Sequence, residues 1–195
     1  MTDIYDVIIA GGGAAGLSAA LVLGRCRRRI LLLLYDDGQH RNSASHTIRC
    51  LLGQEGTPPR KLYAAARGEL QQYETVTLRP GRVTEVGPVG SQFSVKCSDG
   101  SSLMARKILL ATGLKDVVPK LDGIEPLYGR SVHHCPYCDG FEHRDQFLAI
   151  YGAGDKGAGL ARGDQSSIDD GRRVGLSLIE RRRPHRLSVS DVRVS

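Results

Sequence analysis

The sequence predicts an α/β fold that opens on a strand, turn, helix and strand, and three observations carry that prediction. Residues 4–10, IYDVIIA, form a short, β-branched, apolar run with the character of a buried strand. The glycine-rich stretch Gly11 to Gly16 follows at once, and behind it LSAALVLGRCRR is rich in Ala and Leu and reads as a helix. A second buried strand, Ile30 to Tyr35, ends on Asp36, Asp37 and Gly38. Parallel strands need a crossover between them, so this order is a βαβ unit.

The next elements are read in the same way. Residues 38–60 form a long polar loop, and Pro58 and Pro59 lead into a helix starting near Arg60, KLYAAARGELQQY. Three short strand-like pieces follow, Thr75 to Leu78, Arg82 to Val86 and Gln92 to Cys97, and Asp99 and Gly100 mark a turn. Lys107 to Ala111 is read as another buried strand, and the fold expected is a three-layer arrangement with a small β-meander. After Pro119 a loop leads to HHCPYCDGFEHRD, then to a strand at 147–151 and a second glycine-rich turn from Gly152 to Gly157. Tyr151 is the last aromatic residue, and RGDQSSIDDGRR, where a helix is due, has no apolar face. The expectation for 162–195 is an irregular, poorly ordered tail.

Composition sets the class. The chain has 195 residues, 41% hydrophobic and 25% charged, which is the profile of a globular protein. Glycine and proline are too few and too irregular for a collagen-like or mucin-like chain. The longest apolar run, Ile30 to Tyr35, is far short of the roughly 20 residues that cross a bilayer. The N-terminus lacks the basic and apolar regions of a secretory signal, so the expected location is cytoplasmic, with no membrane partner. The net charge of +6 is split evenly about residue 160 and forms no stripe of basic and aromatic residues, which argues against a nucleic-acid partner.

Gly11, Gly13 and Gly16 match G-x-G-x-x-G. The first glycine permits a tight turn, the second lets a pyrophosphate approach the backbone, and the third lets helix and strand pack closely. The phosphates then meet the free N–H groups and the positive end of the helix. Asp36, 20 residues after Gly16, places a carboxylate where ribose hydroxyls would lie. The competing reading is a glycine-rich turn in some other α/β protein. Gly152, Gly154 and Gly157 repeat the pattern after the strand at 147–151, but the helix due after them stops early, so this second loop either binds a dinucleotide or binds nothing.

There are five cysteines, an odd number that does not describe a disulfide scaffold. Cys26, Cys50 and Cys97 are isolated and are expected in or near the core. Cys135 and Cys138 lie one helical turn apart. If Cys135 begins a helix, the dipole favours its thiolate, and the pair can close to a disulfide and reopen by exchange. Asp139 then faces the same side and can shuttle the proton. Three other readings stay open: a zinc site drawing on His133 and His134, a free-standing glutaredoxin-like domain, and two buried unreactive cysteines. The first crowds four ligands into six residues, the second lacks chain for its own sheet, and the third sits badly in a polar loop.

The order of these motifs resembles the low-molecular-weight thioredoxin reductase family of flavoprotein disulfide oxidoreductases. Its bacterial branch is most similar in DVIIAGGGAAGLSAAL, GQHRN, LGQEGTPP, ILLATGL and HCPYCDGFE, and that branch also resembles FAD-dependent dithiol oxidases. The resemblance implies a Rossmann-like FAD-binding lobe over 1–115 and the start of an NAD(P)-binding lobe over 116–161, with 162–195 outside the family. It implies that Gly11, Gly13, Ala14, Ala15 and Gly16 hold the FAD pyrophosphate and Asp36 the adenosine ribose. Arg41, Asn42 and Gln54 would lie along the flavin side, Val83 would meet the adenine through its backbone, and Ala111, Thr112 and Gly113 would line the cofactor. Cys135 and Cys138 would be the redox disulfide with Asp139 as acid/base, and Gly152, Gly154 and Gly157 would belong to the NADPH lobe.

The implied activity is electron transfer from NADP(H) to FAD, to Cys135–Cys138 and on to a thioredoxin-like protein or a small-molecule disulfide, in a homodimer. Two alternatives accompany it: a dithiol oxidase that passes electrons to oxygen, and an inactive remnant. The resemblance stops near residue 161, where the family completes its NADPH lobe and returns to the FAD lobe. The expectation is therefore a chain truncated within the second lobe.

Overall fold

The computed structural model describes residues 4–35, 41–114, 116, 118, 120–144, 149–151 and 176–178. These fall into two units. The first comprises residues 1–43 and 58–115, the second 44–57 and 116–195. Sequence order alone puts the segment 44–57 with the opening lobe, but its contacts lie in the second unit.

The first unit begins with β1 (Ile4–Ala10), α1 (Ala14–Arg25) and β2 (Ile30–Leu34). The helix starts within the glycine turn, three residues before the Ala- and Leu-rich stretch. It stops where Cys26 caps it and Arg27 turns left-handed at φ 54°. A short 3-10 turn over Arg41–Ala44 and α2 (Pro59–Leu70) follow, with Pro59 in the first turn, where its missing N–H costs nothing. The remaining strands are β3 (Val76–Pro80), β4 (Val83–Val89), β5 (Gln92–Cys97) and β6 (Ser102–Leu110). The sheet order is β3-β2-β1-β6-β5-β4, with β3, β2, β1 and β6 parallel and β6, β5 and β4 an antiparallel meander.

Alternation along β2 shows why this sheet carries two layers. Ile30 and Leu32 point to one face, where Leu17 and Ala20 of α1 and Tyr63 and Leu70 of α2 cover them together with Ile9. Leu31 and Leu33 point to the other face, where Val95, Cys97 and Ala105 of the meander cover them together with Ile8. A strand apolar on both faces is what burial between two layers requires. The three layers are helices, parallel sheet and meander. Leu32 is fully buried, so Leu32→Ala is expected to lower the unfolding free energy by ~2–5 kcal/mol in urea titration.

Three sequence expectations change here. Lys107 to Ala111 is only the end of a longer strand and is not buried: Leu110, its last residue, is 70% exposed. Cys97 is buried, but Cys26 and Cys50 are exposed. Cys26 sits on the solvent side of the α1 terminus, and Cys50 lies in a turn at φ 61°.

The second unit holds β7 (Val132–His133), α3 (Pro136–Asp139), a 3-10 turn over Gly140–His143, β8 (Ala149–Tyr151) and β9 (Leu176–Leu178). Its sheet is antiparallel in the order β7-β9-β8. β9 is the one part of 162–195 within the described residues, and it is a strand where sequence predicts irregular chain. Ile124 and Val132 form a small core with Val118 and Tyr128. The segment 44–57 is tied in by Arg49, which pairs with Glu55 at 3.2 Å and Glu142 at 2.6 Å. Gly129, at φ 78°, packs so closely on the Ala44 carbonyl that a Cβ would overlap it. Among the described residues no helix is long and apolar enough to cross a membrane.

Candidate functional site

In the first unit the candidate site is the glycine turn. Its position follows from strand order. The connection from β1 runs through α1 to β2 on one side, while β6 lies on the other side of β1. The carboxyl ends of β1 and β6 therefore form a topological switch point, where open α/β sheets bind ligands. Gly11 follows β1 and Ala111 follows β6, with the Ala111 N–H donating to the Ala10 carbonyl at 2.8 Å.

The three glycines of the pattern sit in different surroundings. Gly11 has φ 114°, and a Cβ there would overlap the Ala111 carbonyl oxygen. A Cβ on Gly16 would overlap the Gly11 carbonyl oxygen, so this glycine sets the close approach of α1 to the turn. Gly13 differs: nothing lies within 4 Å of its Cβ position. It is the N-cap of α1, with no side chain capping the helix and no acidic residue in the first turn. The first-turn N–H groups at Ala14, Ala15 and Gly16 thus face an open cradle suited to an anion. An FAD pyrophosphate fits that chemistry.

The other predicted residues distribute as follows. Thr112 and Gly113 are exposed and Ala111 half-buried beyond β6, with Gly113 at φ 72°. Val83 opens β4 opposite Cys97, beside an irregularity in the pairing, and packs on the meander core. Asn42 reaches the Tyr63 hydroxyl at 3.5 Å, and burial pushes that hydroxyl's pKa up. Arg41 begins the 3-10 turn. Gln54 belongs to the second unit, in a turn where its N–H donates to the Leu51 carbonyl. Asp36, Gly152, Gly154 and Gly157 lie outside the described residues.

In the second unit the site is the cysteine pair. Cys135 is the N-cap of α3, and Pro136 takes the first helical position, which suits its fixed φ. The short helix brings the two thiols together, with sulfurs 2.7 Å apart. The Cys138 S–H donates to Cys135 and brings the Cys135 thiol down to about 6, helped by the backbone N–H groups of Cys138 and Tyr137 and opposed by burial and by the Asp139 charge. Cys138 moves the other way: its hydrogen bond to Cys135, burial and the neighbouring negative charges hold it protonated. The pair is thus one ready nucleophile and one proton-bearing partner, which is what stepwise disulfide exchange needs.

Spacing brought Asp139, His133 and His134 to the pair, but their partners were not legible from it. Asp139, the last residue of α3, has its Oδ2 3.4 Å from His133 Nδ1 and its Oδ1 3.4 Å from the Ser45 hydroxyl. Ser45 is 94 residues away in sequence, and no local signal announces it. His133 and His134, weighed on sequence as metal ligands, diverge. His133 turns its Nε2 to the Arg130 carbonyl at 3.0 Å. His134 stacks on Tyr128 and meets the Tyr128 hydroxyl at 2.9 Å and Asp116 at 3.7 Å. Cys50, also missed, lies with its sulfur 3.9 Å from the Tyr137 carbonyl oxygen, between the two cysteines in sequence.

Comparison with known proteins agrees with this pairing of motifs. A protein from Arthroderma benhamiae named "Probable thioredoxin reductase" is 38% identical over 154 residues, which cover 76% of this chain and 38% of that one. The structure of an oxidoreductase from Agrobacterium tumefaciens is 39% identical with a TM-score of 0.69, covering 73% of this chain and 48% of that one. The structure of a thioredoxin reductase from Streptococcus pyogenes is 27% identical with a TM-score of 0.68, covering 75% of this chain and 47% of that one. The chain spans less than about half the length of these relatives. The family described as pyridine nucleotide-disulphide oxidoreductase matches residues 5–169. With a dinucleotide-type glycine turn in one unit and a primed dithiol in the other, the chain belongs to the pyridine nucleotide-disulphide oxidoreductase family.

Proposed function

We propose that this chain carries the FAD-binding and dithiol parts of an NAD(P)H-dependent disulfide oxidoreductase that reduces the disulfide of a thioredoxin-like protein. The observation that carries the reading is the geometry of the pair, with Cys135 at the head of α3, the Cys138 sulfur 2.7 Å from it and Asp139 next in the chain. FAD, when bound, supplies the two-electron chemistry that opens the Cys135–Cys138 disulfide. Gly11, Gly13, Ala14, Ala15 and Gly16 would hold its pyrophosphate, with Asp36 on the ribose. Arg41, Asn42, Gln54, Val83, Ala111, Thr112 and Gly113 remain its further contacts by family resemblance. Gly152, Gly154 and Gly157 are assigned to NADP(H) on the same ground.

The chain's own residues account for the exchange. The Cys135 thiolate attacks one sulfur of the external disulfide and expels a thiolate. Cys138 then loses its proton and attacks Cys135, releasing the second thiolate and closing the internal disulfide. Asp139 takes up and delivers protons at Cys138. Tyr137, 49% exposed between the two cysteines, and Phe141, 72% exposed, offer apolar surface beside the pair, which favours a protein substrate over a small one. Five free cysteines suit a reducing compartment such as the cytoplasm, and a homodimer belongs to the same reading.

A visible spectrum tests it. The purified chain, given FAD, is expected to retain an oxidised-flavin band that bleaches with NADPH without oxygen and recovers with oxidised thioredoxin. Protein that stays colourless with excess FAD overturns the reading. Flavin that bleaches with small dithiols and not with NADPH replaces it with a dithiol oxidase.

A further inference from the structure

Among the described residues His133 is the buried polar side chain that the exchange above leaves unused. Its two ring nitrogens impose a constraint. Nε2 lies 3.0 Å from the Arg130 carbonyl oxygen, which only accepts, so Nε2 carries a hydrogen. In a neutral ring Nδ1 is then a bare lone pair. It lies 3.4 Å from Asp139 Oδ2, and a carboxylate also only accepts. The contact is attractive when one further proton sits on the pair, as imidazolium facing carboxylate. Ser45 stands by the other carboxylate oxygen, and the Asp139 charge acts on both thiols. The His143 ring lies 5.0 Å from that of His133, the titratable thiols Cys50, Cys135 and Cys138 lie in the same cluster, and His134 is turned to Tyr128 and Asp116. β9 meets the His133 backbone through Ser177.

We propose that His133 is a positioning residue that acts through Asp139: the two store the one proton that the first leaving thiolate takes and that Cys138 later restores. The inference rests on the dithiol part of the function proposed above. In the first step the Cys135 thiolate forms a bond to one sulfur of R–S–S–R′ and the S–S bond breaks. The R′–S⁻ released takes the stored proton through Asp139, leaving a neutral imidazole and a carboxylate. In the second step Cys138 gives its proton back to the pair, its thiolate bonds to Cys135, and R–S⁻ departs. The net change is one disulfide reduced and the Cys135–Cys138 disulfide formed, with R′–SH and R–S⁻ as products.

The test needs no cofactor, so failure of the flavin reading, seen as protein that takes up no FAD, is separate from failure here. The full chain is reduced with a phosphine, desalted and mixed with one of two disulfides in a single turnover. With a dialkyl disulfide the leaving thiolate needs its proton, and His133→Gln is expected to slow release about tenfold or more. With an aromatic disulfide whose thiolate leaves unprotonated, the same variant is expected to stay within about twofold. Equal slowing of both, or of neither, overturns the proposal. Should His133→Gln lose its circular dichroism, nitrogen NMR of the wild-type imidazole decides. The two contacts of the ring lead to the expectation of hydrogen on both nitrogens, and in Asp139→Asn on Nε2 alone. A wild-type ring that is already neutral, or one unchanged in Asp139→Asn, overturns it.

Discussion

Cys138→Ala is expected to move the ionisation of Cys135 upward, from about pH 6 toward the ordinary thiol range. The main cause of the low value is the hydrogen bond from the Cys138 S–H, and alanine removes that donor. Thiolate is the conjugate base, so in the wild type labelling of Cys135 rises through about pH 6 and is lost below it. In the variant that rise occurs well above neutrality. The readout is the pH midpoint at the Cys135 peptide, followed by mass spectrometry of iodoacetamide-labelled protein. The rate alone misleads, because a more basic thiolate is also more nucleophilic and offsets part of the lost fraction. The same variant stops after the first exchange and accumulates a mixed disulfide on Cys135. Cys135→Ser is expected to form no such adduct at position 135 and to complete no exchange. A midpoint that stays near pH 6 in Cys138→Ala means that the cysteine pair does not acidify itself in this way.

The second large effect separates two glycines to which the motif gives different work. Gly11→Ala is expected to destabilise the first unit through two costs, a side chain at φ 114° and a Cβ driven into the Ala111 carbonyl, each about 1–3 kcal/mol. Urea unfolding measures this with no ligand present. Gly13→Ala is expected to shift urea stability by no more than about 1 kcal/mol, the N-cap difference between the two residues, because its backbone (φ −79°, ψ −172°) suits alanine and nothing beyond its chain neighbours lies within 4 Å of the new Cβ. That methyl group instead fills the cradle at the head of α1. Loss of one charge-assisted hydrogen bond costs about 1.5–3 kcal/mol, so FAD is expected to bind about tenfold or more weakly. Gly13→Ala with full FAD affinity means that the turn does not hold a pyrophosphate.

Much of this architecture was legible in the residue order. The apolar run at Ile4–Ala10, the glycine turn and the run at Ile30–Leu34 read as a βαβ unit because period and punctuation are local properties of the chain. The strands at Arg82–Val86 and Gln92–Cys97 and the C-x-x-C at the start of a helix were local in the same sense, whereas the piece at Thr75–Leu78 joins the parallel sheet beside β2, a placement set by long-range pairing. Boundaries shifted where packing overrode pattern. α1 starts inside the glycine turn because Gly16 packs against Gly11, and β6 runs from Ser102 because β1 and β5 pair along its length.

What the sequence determined by itself is the chemistry on offer: a phosphate-type turn, a dithiol, an adjacent acid and membership of a disulfide oxidoreductase family. What only the tertiary structure decided is how the groups around the dithiol are engaged. Ser45 meets Asp139 from 94 residues away, and Arg49 ties its own loop to Glu142. His133 turns inward to Asp139 and the Arg130 carbonyl while its neighbour His134 turns to Tyr128, a divergence that adjacent identical letters cannot express. The physical reason is that His133 is held in β7 by its pairing with Ser177, whereas His134 lies beyond the end of that strand, where the chain bends. Burial likewise separates Cys97, packed under the parallel sheet, from Cys26 and Cys50 at the surface. Such differences depend on which distant segments cover a residue, and that coverage is set by long-range pairing.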